Sequence, residues 1–100
     1  MKKELRHAIG RAVFQLRKER KKTQVQLAKS SGIAGGKTYI GNIERGQGDI
    51  SVEYLLYISI GLKMSLIDVL KVVDIEGILE YQDPANHRTL EDLKKSKYDI

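Results

Sequence analysis

Helix start and stop signals recur so closely along this chain that only short helices fit between them. Thr23 with Gln26, and Ser65 with Asp68, have the spacing of a capping box, in which an N-cap hydroxyl takes the N3 backbone N–H and the N3 side chain returns the bond. Ser51 has the character of a third N-cap. Gly32 stands where a chain leaves a helix with positive φ, and Gly46 closes a further segment.

Between these marks the apolar spacing is helical. Leu5, Ala8, Ile9, Ala12, Val13 and Leu16 recur at three and four residues, a helix with one buried stripe. The basic run Arg17, Lys18, Arg20, Lys21, Lys22 ends that helix, and cations in a last turn suit the negative end of its dipole. A second helix runs from Thr23 to Ser30-Ser31-Gly32, with Val25, Leu27 and Ala28 as its apolar side. Ile33-Ala34-Gly35-Gly36 is a turn. A third helix spans Lys37 to Arg45, with Ile40 and Ile43 apolar, and a loop follows from Gly46 to Asp49. The fourth runs from Ser51 to about Leu62, and a fifth starts at Ser65. The reading is an all-α, compact five-helix domain over residues 1–73.

The fourth helix is apolar on more than one side. Val52, Leu55, Leu56, Ser59 and Leu62 have the spacing of a core stripe, yet Tyr54, Tyr57 and Ile60 add apolar groups where a surface helix is polar. Such a patch points to a partner surface. After Val73 the pattern weakens. Asp83-Pro84 is a break, Thr89 with Asp92 could cap one more short helix through Lys97, and Ile75, Ile78 and Leu79 do not decide helix from strand. Residues 74–100 are a C-terminal extension, either a dimerisation element or a partner-binding arm.

Charge narrows the class of partner. Residues 1–73 hold 14 Lys/Arg against 6 Asp/Glu, whereas residues 74–100 hold 4 against 7, within a net charge of +5. A basic domain attracts polyanions, because each cation on a phosphate releases condensed counterions. The chain has no cysteine, which excludes disulfides, thiolate metal sites and a cysteine nucleophile. His7 and His87 lie in separate segments with no ligand at metal-binding spacing, and no phosphate-loop or nucleophile–base motif is present. No cofactor, no metal and no enzymatic activity are expected. The apolar stretches are too short for a membrane span, and MKKELRH leads into no signal-peptide core, so the expected compartment is the cytoplasm.

The stretch TQVQLAKSSGIAGGKTYIGNIERG, Thr23 to Gly46, resembles the lambda-repressor-like, Xre/Cro-type helix-turn-helix family. The likeness extends from about Ile9 to Leu70 and rests on Thr23-Gln24, Leu27-Ala28, Gly32, Tyr39-Ile40 and Ile43-Glu44-Arg45-Gly46, followed by the Ser51 and Ser65 helix starts. It implies a reader at residues 24–44, in which Leu27, Ala28, Ile40 and Ile43 hold the third helix so that it projects into the major groove of double-stranded DNA. By the same resemblance Gly36, Lys37, Thr38 and Asn42 are base-reading positions, Gln24 contacts a phosphate, and Arg17 and Arg45 are further phosphate contacts. Arg45 could instead pair with Glu44 or Glu53. The chain departs from the family in the Gly35-Gly36 insertion before the third helix, in Gly41 within it, and in Lys63 where a helix-ending glycine is usual.

The implied function is a sequence-specific transcriptional regulator, a repressor acting as a homodimer through Tyr54, Tyr57 and Ile60 on a two-fold operator. The alternative is an antitoxin-type regulator whose segment 74–100 also grips a protein partner.

Overall fold

A computed structural model describes residues 3–73. They form α1 (Lys3–Glu19), α2 (Gln24–Ser31), α3 (Gly36–Glu44), α4 (Val52–Gly61) and α5 (Leu66–Val72), the five helices expected. The capping residues act as their spacing predicts. Thr23 Oγ1 accepts from Gln26 N–H at 3.1 Å while Gln26 Oε1 accepts from Thr23 N–H at 2.8 Å. Ser51 and Ser65 accept from the N–H groups of Tyr54 and Asp68, each at 3.1 Å.

Helices α1 to α4 all end in the same way. One residue turns left-handed, its N–H returns to the carbonyl three back, and the next N–H returns to the carbonyl five back. The left-handed residues are Lys21, Gly32, Gly46 and Lys63, with φ of 54°, 67°, 72° and 57°. At the end of α4, for example, Lys63 N–H reaches Ile60 O and Met64 N–H reaches Ser59 O, both at 2.9 Å. Lys63 thus holds the conformation that its missing glycine would have supplied.

Val13 of α1, Leu27 of α2, Ile40 of α3, Ile58 and Leu62 of α4 and Val69 of α5 are fully buried and make one core. Two glycines let backbones meet inside it. A Cβ on Gly10 would strike the Ile43 carbonyl oxygen and lie 2.9 Å from that of Glu44, so α1 crosses the end of α3 at van der Waals contact. A Cβ on Gly61 would strike Ser31 Oγ, and α4 crosses α2 equally closely there.

The core stripe of α4 differs from the expected one. Leu55, Ser59 and Leu62 are buried, but Ile58 completes the stripe, while Val52 is 74% exposed and Leu56 42%. The observed set keeps helical spacing, as the expected one did. A helix reading VEYLLYISIG is too uniformly apolar for periodicity to choose its inner face. Val25 of α2, expected among its apolar side, is likewise exposed. The helix suggested from Thr89, the Asp83-Pro84 break and the role of 74–100 lie outside the described residues.

Candidate nucleic-acid interface

Helices α2 and α3 pack together, and the chain between them fixes how α3 presents its first turn. Gly35 occupies the N-cap position and Gly36 opens the helix with φ of 59°. Neither has a side chain to accept the first amide protons, and α3 has no side-chain cap. Lys37 and Thr38 follow on the solvent side, whereas Ile40 and Ile43 are buried against α1 and α2. Gly36 and Asn42 are half-buried on the same helix.

Beside this first turn lies an open concavity of about 460 Å³, lined among others by Lys18, Lys21, Thr23, Gln24, Val25 and Lys37. Lys18, Lys21 and Lys37 are exposed, so the concavity carries positive charge next to the start of α2, whose dipole adds to it. An anion fits such a surface.

Arg20 does not line this space, and Lys22, which does, spends its ammonium on acceptors of other helices. Arg20 Nε donates to Leu62 O at 2.6 Å, and Lys22 Nζ donates to Gly61 O at 2.7 Å and Ser30 Oγ at 3.1 Å. These two cations satisfy the last carbonyls of α4. The dipole argument for the run therefore holds, but for a helix forty residues away as well as for its own.

Arg17, expected on a phosphate, is turned inward instead. It is 6% exposed, its Nε and Nη2 grip the two oxygens of Glu44 at 2.6 and 2.9 Å, and Nη1 donates to Lys22 O at 2.9 Å. The bonded Glu44 carboxylate raises the guanidinium pKa above its ordinary value, against the opposing effect of burial. With its fork closed on Glu44, Arg17 is a strut between α1 and α3. Glu44 Oε1 also accepts from Gln24 Nε2 at 3.0 Å, which ties the first residue of α2 to the same carboxylate.

Arg45 pairs with neither Glu44 nor Glu53. Its Nη2 donates to Asn42 Oδ1 at 2.6 Å and its Nε approaches Gln47 Oε1 at 3.5 Å. Tyr54 packs edge-on against Tyr39 of α3, ring centroids 5.1 Å apart, and tilts against Tyr57 at 5.7 Å. Burial beside Tyr54 raises the Tyr39 phenol pKa. The Tyr57 hydroxyl bonds to Glu53, and this bond raises its pKa in turn. The two tyrosines of α4 are therefore half-buried and engaged, while Ile60 is 59% exposed in line with Leu56 and Val52.

A family model described as helix-turn-helix (HTH_3), the lambda-repressor and Xre type, matches residues 13–69. The chain belongs to this family. Its fold recurs in the clp gene regulator ClgR from Corynebacterium glutamicum, 26% identical over 96% of either chain with a TM-score of 0.66. A second ClgR structure is 31% identical over 78% of this chain and 94% of that one, TM-score 0.62. The wild-type restriction-modification controller protein C.Esp1396I is 28% identical over 77% of this chain and 96% of its own, TM-score 0.66. No match is found among curated proteins. This helix-turn-helix protein is a DNA-binding transcriptional regulator, and its family indicates a regulator rather than an enzyme. No described helix is long and apolar enough to cross a membrane.

Sequence reasoning missed Glu44 as the junction of α1, α2 and α3, the close approach at Gly10, and the tie from Arg45 to Asn42. Glu44, Asn42 and Arg45 lie within the stretch that carries the resemblance, and Gly41 stood out there as a departure, but nothing in their spacing named these partners.

Proposed function

We propose that this regulator binds double-stranded DNA with the first turn of α3 in the major groove and acts as a homodimeric repressor on a two-fold operator. The observation that carries the reading is the division of α3. Lys37 and Thr38 face solvent beside a basic concavity, while Ile40 and Ile43 hold the opposite side in the core. Lysine can donate to guanine N7 and O6, and threonine offers a hydroxyl and a methyl to a base edge. In this reading Gly36 allows close approach, Asn42 adds an amide, and Gln24 steadies the complex on a phosphate with the N–H that Glu44 leaves over.

For the dimer, the ridge of Val52, Leu56 and Ile60 supports the α4 surface, with Ile67 and Leu70 of α5 also exposed. Tyr57 flanks that ridge and Tyr54 lies further toward α3. ClgR is named for clp genes and C.Esp1396I for restriction-modification, so one fold serves different targets and this chain's own operator is to be found by selection.

The test is binding of the full chain to duplexes selected from a random pool, followed across ionic strength. A log–log slope of several units is expected, as is a two-fold symmetric consensus. A reporter carrying the selected site should fall in expression when the protein is present. Absence of any salt slope, or selection of no sequence, rejects the proposal.

A further inference from the structure

The side chain of Arg45 is held over α3 in a way that changes what Asn42 can read. The guanidinium folds back along the helix by about one turn. A Cβ on Gly41 would lie 3.1 Å from its Nη1, so glycine at this position provides the notch in which it rests. Nη2 then donates to Asn42 Oδ1 at 2.6 Å, and Nε points to Gln47 Oε1 at 3.5 Å. A guanidinium only donates, so the Asn42 amide must turn its oxygen to Arg45 and present its two N–H groups elsewhere.

This orientation has a consequence for base recognition. Asparagine reads adenine by accepting from N6–H and donating to N7, which needs its oxygen and nitrogen aimed at the same base. Here the oxygen is held by Arg45. With that oxygen taken, the N–H groups that remain on the Arg45 guanidinium and the Asn42 amide are all donors. Guanine offers two acceptors, O6 and N7, to the major groove, whereas adenine sets a donor beside its acceptor.

Resting on the proposed reading of α3, we infer that Arg45 and Asn42 act as one donor-only unit that selects guanine, with Asn42 the positioning residue that aims Arg45. Gly41 belongs to the same unit because a larger side chain would lift the guanidinium out of its notch. Arg45 on this account is a specificity determinant, not a sequence-blind phosphate contact.

Random-pool selection with the full chain tests it, repeated for Arg45→Ala, Asn42→Ala, Asn42→Asp and the double alanine variant. The wild type should select guanine at one position per half-site that Arg45→Ala no longer discriminates, with preference over adenine falling by about fivefold or more. Asn42→Ala should lose the same guanine. The double variant should bind no more than about twofold more weakly than Arg45→Ala, since coupled groups are not additive. Asn42→Asp keeps an acceptor for Arg45 and should keep the guanine preference, with lower affinity on all sequences from the added negative charge. The inference is overturned if Asn42→Ala loses an adenine that Arg45→Ala retains. It is also overturned if Arg45→Ala weakens every sequence equally, the behaviour of a phosphate contact. A wild-type chain that selects no sequence rejects the parent reading instead, and this one with it.

Discussion

Arg17 of α1 and Glu44 at the end of α3 close a two-pronged ion pair, at 2.6 and 2.9 Å, with side chains only 7% and 5% exposed. Burial makes the pair asymmetric. Removing one partner strands a desolvated charge, at a cost of about 3–5 kcal/mol, whereas replacing both with apolar groups of similar size is often neutral. Arg17→Ala should therefore lower stability by an amount in that range in denaturant unfolding. Arg17→Met combined with Glu44→Leu should recover most of it. A loss of DNA affinity by Arg17→Ala with unchanged unfolding would mean that the guanidinium reaches a phosphate after all.

Lys63 offers the opposite kind of change. Its φ of 57° places an L-residue with a Cβ in the left-handed region, at a cost of about 1–2 kcal/mol that glycine avoids. Lys63 is exposed, and it is its backbone N–H that closes the end of α4. Lys63→Gly should raise stability by roughly 1 kcal/mol and the melting temperature by about 4–8 °C. Lys63→Ala, which keeps the Cβ, should leave both nearly unchanged. Equal effects of the two variants would show that the side chain, not the backbone, matters here.

Gly10 carries the reader's position. Backbone carbonyls of Ile43 and Glu44 occupy the space that a methyl would take, and backbone cannot rotate aside as a side chain can. Gly10→Ala should cost about 1–3 kcal/mol, the usual penalty of overpacking, despite alanine's better helix propensity. Because the displaced element is α3, affinity for selected DNA should fall even well below the melting temperature. Circular dichroism melting together with binding at low temperature separates the two effects.

These three sites differ in how far the sequence announces them. Caps and stops were legible because each is a local event: Thr23 needs only Gln26, and Gly32 needs only the helix before it. The wedge of Leu27, Ile40 and Ile43 was legible for the same reason, since helical spacing around polar residues leaves one inward side. Helix α4 was not, because a nearly all-apolar segment has no contrast from which to choose a face, and the stripe moved from Val52 and Leu56 to Ile58. Polar partners were the least legible. Arg17, Arg20 and Lys22 stand in one basic run, yet each finds a different acceptor far along the chain, on Glu44, Leu62 and Gly61. Such pairing is decided by tertiary placement, and composition sees only the charge. Gly10 carries no sequence signal beyond its small size within an apolar stripe.

The exposed ridge of α4 tests the assembly. Val52, Leu56 and Ile60 are four residues apart and 74%, 42% and 59% exposed, a strip whose burial between two copies would favour a dimer. Leu56→Glu or Ile60→Glu should shift the protein toward monomer in analytical ultracentrifugation and lower affinity for a two-fold site more than for a half-site. Tyr57→Glu should act more weakly, since that ring flanks the ridge and packs against Tyr54. If Tyr57→Glu alone dissociates the dimer, the interface lies on the aromatic side of the helix.

The sharpest division is between residues that read DNA and residues that hold the reader. Thr38 is exposed and belongs to no part of the core, so Thr38→Ala should leave melting unchanged. If its hydroxyl and methyl touch a base edge, affinity for the selected site should fall by about 1–3 kcal/mol with little loss on random DNA. Gln24→Ala should weaken both DNAs by similar factors, because a phosphate contact positions without reading sequence. It also removes one bond to Glu44, so a small drop in melting should accompany it. Ile43, 4% exposed, should behave in a third way. Its truncation to alanine opens a cavity beneath α3, costs about 2–5 kcal/mol of stability and damages binding through the fold. Melting and affinity on both DNAs, measured for all three variants, place each residue in one class. Equal losses on selected and random DNA for Thr38→Ala would remove it from the reading face and leave Lys37 and the Arg45–Asn42 pair to carry specificity.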